Sequence, residues 1–492
     1  MRSTLVKTTS IFLAVSMLIL LFSACGSNEK EEGNQAGIVP TETPTEEGSP
    51  SFEGMDLTSY KDTTFRIAGP SSSGWTYSDI FLFAEDYDGT TVNDAVYERN
   101  KIVEDRFSIS IEFYCDDNVA QDVRKLIMTD DCPYDVVYMA GTKVTSFVQS
   151  GYLKDLNELK YCDFTKDYWD QNCYETLSIG GKIYYMVGDI SAAMLSGSEV
   201  VFFNKNMISE FKLDNPYELV YNNNWTWEKL FEMGRAVSED LNNDGRWNEH
   251  DRYGMFYFRV PMAMQASGIR FTENNAEGIP EVVLLKKDAE RTVAAYDLFC
   301  DALNEKGLNL SPNGLSSDAD ISAYLHKWDY CRGELFGGDQ VLFCLSGLLT
   351  SDLLTNMESE YGIVPFPKYD TEQQAYHSTV DYGFSFMTVP VTNQRMDFTS
   401  CVLEYMAYAS SDSVIHAYYD KVMKGQRASD PDCIEMLDII KDSLTYEFTQ
   451  INDVGIYSTI DNSVSKKTLT SSFASNEKAI QRKLQNIIDQ FS

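Results

Sequence analysis

The stretch Asp135-Val136-Val137-Tyr138-Met139 decides the fold class, because it is a short and almost uniformly apolar run. A strand of this kind is buried on both faces, as in a parallel sheet covered by helices. Two strand-like segments precede it, at 64–68 and 108–114. Helical apolar spacing fills the gaps between these strands, at 92–107 and 119–128. This alternation of strands and helices predicts an α/β fold with crossover helices.

Helical patterns dominate the later part of the chain. A helix is predicted over 226–238, with Thr226 as its N-cap and a hydrophobic staple formed by Trp225 and Leu230. The last predicted helix, at 476–490, is amphipathic. Four more predicted helices lie between these two, at 287–305, 393–409, 412–423 and 430–443.

The N-terminus has the pattern of an export signal. Two basic residues precede an apolar run at 11–22, which is too short to span a bilayer as a mature helix. The following residues, 21–25, read Leu-Phe-Ser-Ala-Cys and resemble a bacterial lipobox. We therefore predict a signal peptide at 1–24, lipid on Cys25, and a location on the outer face of the bacterial cell membrane. The alternative is an ordinary signal peptide with a chance cysteine.

Composition limits the remaining functions. Residues 25–61 are rich in Ser, Glu, Gly, Pro and Thr, which predicts a disordered tether between the lipid and the folded body. The chain of 492 residues carries a net charge of −35 at pH 7, which argues against binding nucleic acid. The segment after the tether is long enough for two lobes.

Several short segments together resemble a known family. In order and spacing over 62–490, they are similar to the extracellular solute-binding proteins of family 1, the maltose-binding-protein-like class that serves ABC importers. Besides 135–139, the segments are Tyr97-Glu98-Arg99-Asn100, Gly151-Tyr152-Leu153-Lys154-Asp155-Leu156, Gly181-Lys182-Ile183-Tyr184-Tyr185-Met186-Val187, Phe202-Phe203-Asn204-Lys205, Trp225-Thr226-Trp227-Glu228 and the final helix.

The resemblance implies a two-lobe periplasmic-binding-protein-like fold of type II. Each lobe would be a mainly parallel sheet flanked by helices, with extra helices at the C-terminus. Lobe 1 would hold 62–195 plus 337–378, and lobe 2 would hold 196–336 plus 379–492. A carbohydrate ligand would lie in the cleft between the lobes, the permease subunits of an ABC importer would be the partners, and the protein would be a monomer.

Candidate ligand-binding residues lie near the ends of predicted strands and other elements, where the cleft of such a fold lies. Asp381 and Tyr382 are candidates because they lie in an expected crossing segment between the lobes. Flat aromatic rings pack on the C–H faces of sugars, and carboxylates accept hydrogen bonds from their hydroxyl groups. For each aromatic residue the alternative is core packing, and the staple already accounts for Trp225. The candidates are Trp75, Tyr77, Asp116, Gly141, Trp225, Phe256, Tyr257, Asp381 and Tyr382.

One local motif is more specific. Residues 240–251 match the calcium loop D-x-[DN]-x-[DN]-G through its first six positions and have an acidic residue at the twelfth. Alternate side chains of such a loop converge on one point, and Gly245 permits the sharp turn. We predict a structural Ca²⁺ site, although an acidic turn without metal is the alternative. The predicted ligands are Asp240, Asn242, Asp244, the backbone carbonyl of Arg246, Asn248 through water, and Asp251.

Enzyme motifs are absent from the sequence. It contains no G-x-S-x-G elbow, G-x-G-x-x-G loop or phosphate-binding P-loop. The first hypothesis is therefore a non-enzymatic, lipid-anchored protein that captures a carbohydrate, expected to be an oligosaccharide, for an importer. Two alternatives stay open: a membrane-anchored glycan-active hydrolase, because 75 acidic residues provide many carboxylate pairs, and a binder of a non-sugar polar solute.

Overall fold

The computed structural model describes residues 48–71, 79–381, 383–428 and 430–491. The predicted signal peptide, Cys25 and most of the predicted tether lie outside these ranges. None of the helices within them is long and apolar enough to cross a bilayer.

The described chain contains thirteen strands. In chain order they are β1 (Thr64–Gly69), β2 (Ser110–Cys115), β3 (Val136–Ala140), β4 (Glu199–Asn204), β5 (Tyr253–Phe256), β6 (Thr272–Asn274), β7 (Pro280–Val282), β8 (Asn309–Leu310), β9 (Val341–Gly347), β10 (Tyr361–Pro365), β11 (Ser378–Thr379), β12 (Ser385–Thr388) and β13 (Leu444–Thr445).

Sixteen α-helices accompany these strands within the described ranges. They are α1 (Thr91–Phe107), α2 (Val119–Met128), α3 (Gly141–Gln149), α4 (Gln171–Leu177), α5 (Ala193–Ser196), α6 (Lys205–Glu210), α7 (Pro216–Tyr221), α8 (Trp227–Val237), α9 (Val260–Ala266), α10 (Ala289–Asn304), α11 (Lys327–Tyr330), α12 (Met396–Ser410), α13 (Pro431–Asp442), α14 (Phe448–Ile451), α15 (Ile456–Ser463) and α16 (Leu469–Phe491). Two π-helical segments, Cys331–Phe336 and Ser411–Arg427, continue α11 and α12.

Lobe 1 is built on a four-stranded sheet with the order β12-β3-β1-β2. Strand β1 is parallel to β2 and β3, and β12 is antiparallel to β3. Residues 136–139 are buried, as their apolar run predicts. Helix α1 buries Val96, Val103 and Phe107 and packs against α12. The alternation of strands and helices predicted for 64–139 is confirmed.

Lobe 2 is built on a five-stranded sheet with the order β10-β4-β9-β5-β8. Strand β5 is parallel to β8 and β9, whereas β4 is antiparallel to both of its neighbours. Every residue of β9 is buried, because this strand is central in the sheet and α8 and the Cys331–Phe336 segment pack on it. The sheet of lobe 1 is therefore mainly parallel, as the resemblance implies. The sheet of lobe 2 is mixed, with two parallel and two antiparallel strand pairs, so the prediction of a mainly parallel sheet is wrong for this lobe.

The predicted division of the later chain between the lobes is wrong in part. Segment 337–378 was assigned to lobe 1, but its strands β9 and β10 pair with β4 in lobe 2. The start of segment 379–492 was assigned to lobe 2, but β12 pairs with β3 in lobe 1. The physical reason is hydrogen bonding: β9 fills the centre of the second sheet, and β12 completes the edge of the first.

Three chain segments run side by side between the lobes. Ser198 forms a bridge with Val380, and β11 is parallel to β13. The hydroxyl groups of Ser378 and Ser443 are 2.8 Å apart and share a hydrogen bond. We call residues 197–199, 378–381 and 443–445 the crossing segments.

The extra C-terminal helices contact both lobes. Helix α16 packs against α3 of lobe 1 and α10 of lobe 2, and α15 packs against α9. The apolar stripe predicted for the last helix is confirmed, although the helix begins earlier, at Leu469.

One arginine in lobe 1 is completely buried. Arg99 on α1 donates to the backbone carbonyls of Phe81, Leu82 and Ile190 at 3.1–3.2 Å. It also donates to Ser410 Oγ at 2.6 Å. Burial lowers the pKa of the guanidinium to about 10, which still leaves it charged at neutral pH. Arg99 therefore holds α1, the loop at 81–82 and the end of α12 together.

Candidate functional site

Two neighbouring cavities lie at one edge of the lobe 2 sheet, beside the crossing segments. They share four lining residues, Glu199, Arg332, Ser346 and Asp381. The larger encloses about 860 Å³ of space between side chains and the smaller about 560 Å³, both partly open to solvent. We call the two cavities together the cleft.

The topology of the sheet brings these residues together. Strands β5 and β9 are parallel, so their carboxyl ends meet at the same edge. Tyr257 follows β5 directly, and Ser346 lies at the end of β9. Because β4 runs in the opposite direction, it contributes its first residue, Glu199, to this edge. The cleft therefore lies where ligands bind in open α/β sheets.

Aromatic rings form one wall of the larger cavity. Trp328 on α11 is half-buried, and its ring meets Tyr257 edge-on at 5.3 Å between centroids. Phe256 supports the same ring from the core at 5.7 Å. Phe366 also lines this cavity. The indole is therefore fixed in orientation while part of it faces the cleft.

Two carboxyl groups, Glu199 and Asp381, face both cavities. Burial, reinforced by the charge of Asp381, raises the pKa of Glu199 to about 8. Burial also raises the pKa of Asp381 above its usual range, against the hydrogen bond from the Gly383 amide and the charges of Arg259 and Arg332. The two groups therefore disfavour each other's ionisation.

The arginines of the cleft are each matched with an aspartate. Arg259 Nη2 donates to Asp461 Oδ2 on α15 at 2.5 Å. Arg332 Nη1 lies 3.5 Å from Asp329 Oδ1, one helical turn away. A C-terminal helix thus helps to orient a residue that lines the cleft.

The structure brings two of the predicted ligand residues, Tyr257 and Asp381, into the cleft. Phe256 is fully buried beneath Trp328, and its predicted ligand contact is wrong. Trp225 is also fully buried, with Nε1 donating to the Pro365 carbonyl at 2.8 Å, so it is a core residue and its predicted ligand contact is wrong.

The other predicted residues lie elsewhere. Asp116 follows β2, where its carboxylate accepts the Asn118 amide at 2.7 Å, and it does not line the cleft. Gly141 is buried at the start of α3, and its amide donates to the Phe384 carbonyl. Trp75, Tyr77 and Tyr382 fall outside the described residues.

Sequence reasoning missed Glu199, Trp328 and Arg332. One signal was available for Glu199, because an acidic residue directly precedes the apolar run of β4. Trp328 lies on a one-turn helix after a mainly exposed segment, and no local pattern distinguishes it.

The predicted calcium loop is folded by its own side chains. Asp240 Oδ2 accepts the amide of Gly245 at 2.8 Å. Asn242 Oδ1 accepts the amide of Asp244, and Asp244 Oδ1 accepts that of Arg246, at 2.9 and 2.7 Å. Gly245 has a φ of +75°, so glycine is the favoured residue at this turn.

The end of the loop closes on its start. The buried carboxylate of Asp251 accepts the amides of Leu241 and Asn248 at 3.1 and 2.9 Å. Asp240 Oδ1 is buried without a hydrogen-bond partner among the described residues, which fits an oxygen that binds a cation. Among the residues that the structure describes, no group of three or more His, Cys, Asp or Glu side chains is arranged so that it could hold a metal ion.

Comparison with known proteins identifies the family. The family model of bacterial extracellular solute-binding proteins matches residues 73–314. No curated protein matches the sequence. An ABC substrate-binding protein from Listeria monocytogenes, solved in complex with cycloalternan, is similar in structure, with 13% identity and a TM-score of 0.50. The similarity covers 87% of this chain and 99% of that one.

A cyclo/maltodextrin-binding protein complexed with maltotetraose is also similar, with 13% identity and a TM-score of 0.51 over 88% of this chain and 97% of that one. These likenesses agree with the two sheets described above and establish the type II periplasmic-binding-protein-like fold. The family consists of substrate-binding proteins and not of enzymes. Over residues 73–314 the chain belongs to the family of bacterial extracellular solute-binding proteins.

Proposed function

We propose that the protein captures a carbohydrate, an oligosaccharide, in the cleft and delivers it to the permease subunits of an ABC importer. The observation that carries this proposal is that the half-buried Trp328 lies beside Tyr257 in a cavity that Glu199 and Asp381 also line. An aromatic face packs on the apolar face of a sugar ring, and carboxyl groups bind its hydroxyl rim. The two similar structures were solved with oligosaccharides, which supports this ligand class.

The arrangement of the lobes supports capture by closure. The cleft adjoins the crossing segments, where a small rotation would change the distance between the lobes. Closure around a bound sugar would present a different surface to an importer than the empty protein does. We propose that the protein acts as a monomer.

Isothermal titration calorimetry against a sugar panel tests the ligand class. The panel contains neutral and amino oligosaccharides of two to six units, with a set of peptides as the non-sugar comparison. We expect at least one oligosaccharide to bind with micromolar or tighter affinity and to be recovered intact. Binding of peptides alone would contradict the carbohydrate assignment.

We propose that lipid on Cys25 anchors the protein at the outer face of the cell membrane, which raises its local concentration near the importer. The Cys25→Ala variant should then be found in the medium with unchanged ligand affinity. Fractionation and calorimetry measure these two properties. Cys115→Ala, which changes an exposed cysteine of the folded body, is the matched control and should stay with the membrane. Retention of Cys25→Ala on the membrane would contradict the anchor.

We also propose that the loop at 240–251 binds a structural Ca²⁺ through the predicted ligands, supported by the buried oxygen of Asp240. Saturating Ca²⁺ should raise the melting temperature by roughly 5 °C, because a ligand that binds only the folded state stabilises it. Thermal melts with chelator and with added Ca²⁺ measure the change.

Variants of the loop separate calcium binding from general ionic effects. Asp240→Ala should abolish the Ca²⁺-dependent rise in melting temperature, whereas Asp105→Asn, at an exposed position on α1 of lobe 1, should keep it. Equal melting curves of the unmodified protein in chelator and in Ca²⁺ would remove the metal from this loop.

A further inference from the structure

The cleft contains more carboxyl groups than it has arginine side chains to pair with them. Arg259 is paired with Asp461, and Arg332 lies beside Asp329. Each pair is neutral as a whole, although both arginines still act through charge on Glu199 and Asp381. Glu199 and Asp381 remain as two additional carboxyl groups that face the same space.

Glu199 differs from the other acidic groups of the cleft. Asp381 Oδ1 accepts the amide of Gly383 at 2.6 Å. Within the described residues, the Glu199 carboxyl has no hydrogen-bond donor, and the neighbours that act on it do so through charge alone. A half-buried carboxyl group without a donor is costly unless a ligand supplies one.

Protonation relieves this cost in the empty protein. Burial and Asp381 raise the pKa of Glu199 to about 8, so the group is mostly neutral at pH 7. The charged or titratable groups around it are Asp381, Arg259 and Arg332, with Asp329 and His326 further along the smaller cavity. A ligand cation placed between Glu199 and Asp381 would provide the same positive charge as this proton and would displace it.

We propose that the bound carbohydrate carries a protonated amine, so that it is an amino sugar, and that Glu199 binds this amine. This inference rests on the proposed function. Charge-assisted hydrogen bonds to Glu199 and Asp381 hold the ammonium group, and the sugar ring packs against Trp328 in the adjoining cavity. The indole face adds attraction for the cation.

The test is calorimetry with three matched ligands: a β-1,4-linked glucosamine disaccharide, its N-acetylated form and the corresponding glucose disaccharide. Titrations at pH 7 in buffers of different ionisation enthalpy count the protons released. We expect the amine-bearing disaccharide to bind roughly tenfold more tightly than the N-acetylated one and to release protons. The proton count uses the unmodified protein, so it does not depend on how a variant folds.

Variants assign the effect to one residue. Glu199→Gln should remove both the preference for the amine and the proton release. Glu277→Gln, in the exposed turn between β6 and β7 and not among the residues that line the cleft, should change neither. Equal affinity for the three disaccharides would overturn the amine while leaving carbohydrate binding in place. If none of the sugars in this set or in the wider panel binds, both the proposed function and this inference are overturned.

Discussion

Replacement of Arg99 by alanine should lower the free energy of unfolding by about 4 kcal/mol. The side chain is fully buried, and its guanidinium donates to three backbone carbonyls and to the Ser410 hydroxyl. Alanine would remove the donor to the Phe81 and Ile190 carbonyls and one of the two donors to the Leu82 carbonyl, and it would also leave a cavity. Each of these two defects alone accounts for large effects of single substitutions.

Urea unfolding followed by circular dichroism measures this change. The matched control is Arg66→Ala, because Arg66 is an exposed arginine that pairs with the exposed Glu112. Its loss should cost less than about 1 kcal/mol, since solvent screens such a pair. A cost below about 1 kcal/mol for Arg99→Ala as well would show that the buried hydrogen bonds contribute little net stability.

Replacement of Trp328 by alanine should weaken oligosaccharide binding by roughly 30-fold or more, because aromatic residues in the centre of a site commonly contribute 2 kcal/mol or more. The indole is half-buried and lines the larger cavity, and Phe256 and Tyr257 fix its orientation. Its loss removes both the stacking surface and part of the cavity wall. Calorimetric titration with the best ligand of the panel measures the change.

Two variants serve as comparisons. Trp328→Phe should recover part of the affinity, because a smaller aromatic face remains. Tyr221→Ala removes an exposed aromatic ring on α7 that does not line the cleft, and it should leave the affinity unchanged. Full affinity in Trp328→Ala would show that the ligand occupies another part of the molecule.

Local periodicity was sufficient to predict lobe 1 up to β3. The apolar runs and the helical spacing at 64–139 are patterns among residues that are close in sequence. The observed strands and helices therefore lie close to the predicted ones. The division of the later chain failed because it depends on pairing between distant strands. β9 is about 140 residues from β4 in sequence. The residues of a fully buried strand do not indicate which of the two sheets the strand will join.

The sequence predicted those site residues that lie at the carboxyl ends of strands or between the lobes, where ligands bind in folds of this kind. Tyr257 and Asp381 were found because they lie near the ends of predicted strands or in a predicted crossing segment. Glu199 was missed because it begins a strand that runs opposite to its neighbours, so the rule for carboxyl ends does not select it. Trp225 was selected by residue type, although its staple contact already indicated the core.

The buried thiols of the folded protein affect how its unfolding must be studied. Cys173, Cys300, Cys331, Cys344 and Cys401 are buried thiols, and burial raises the pKa of Cys331, Cys344 and Cys401 to about 12. Only the thiolate reacts readily with oxidants, so these groups are chemically inert while the chain is folded. In the unfolded chain they regain an ordinary acidity and can cross-link in air. Heating without a reductant should therefore trap unfolded molecules, and the apparent midpoint would then follow the rate of heating rather than an equilibrium.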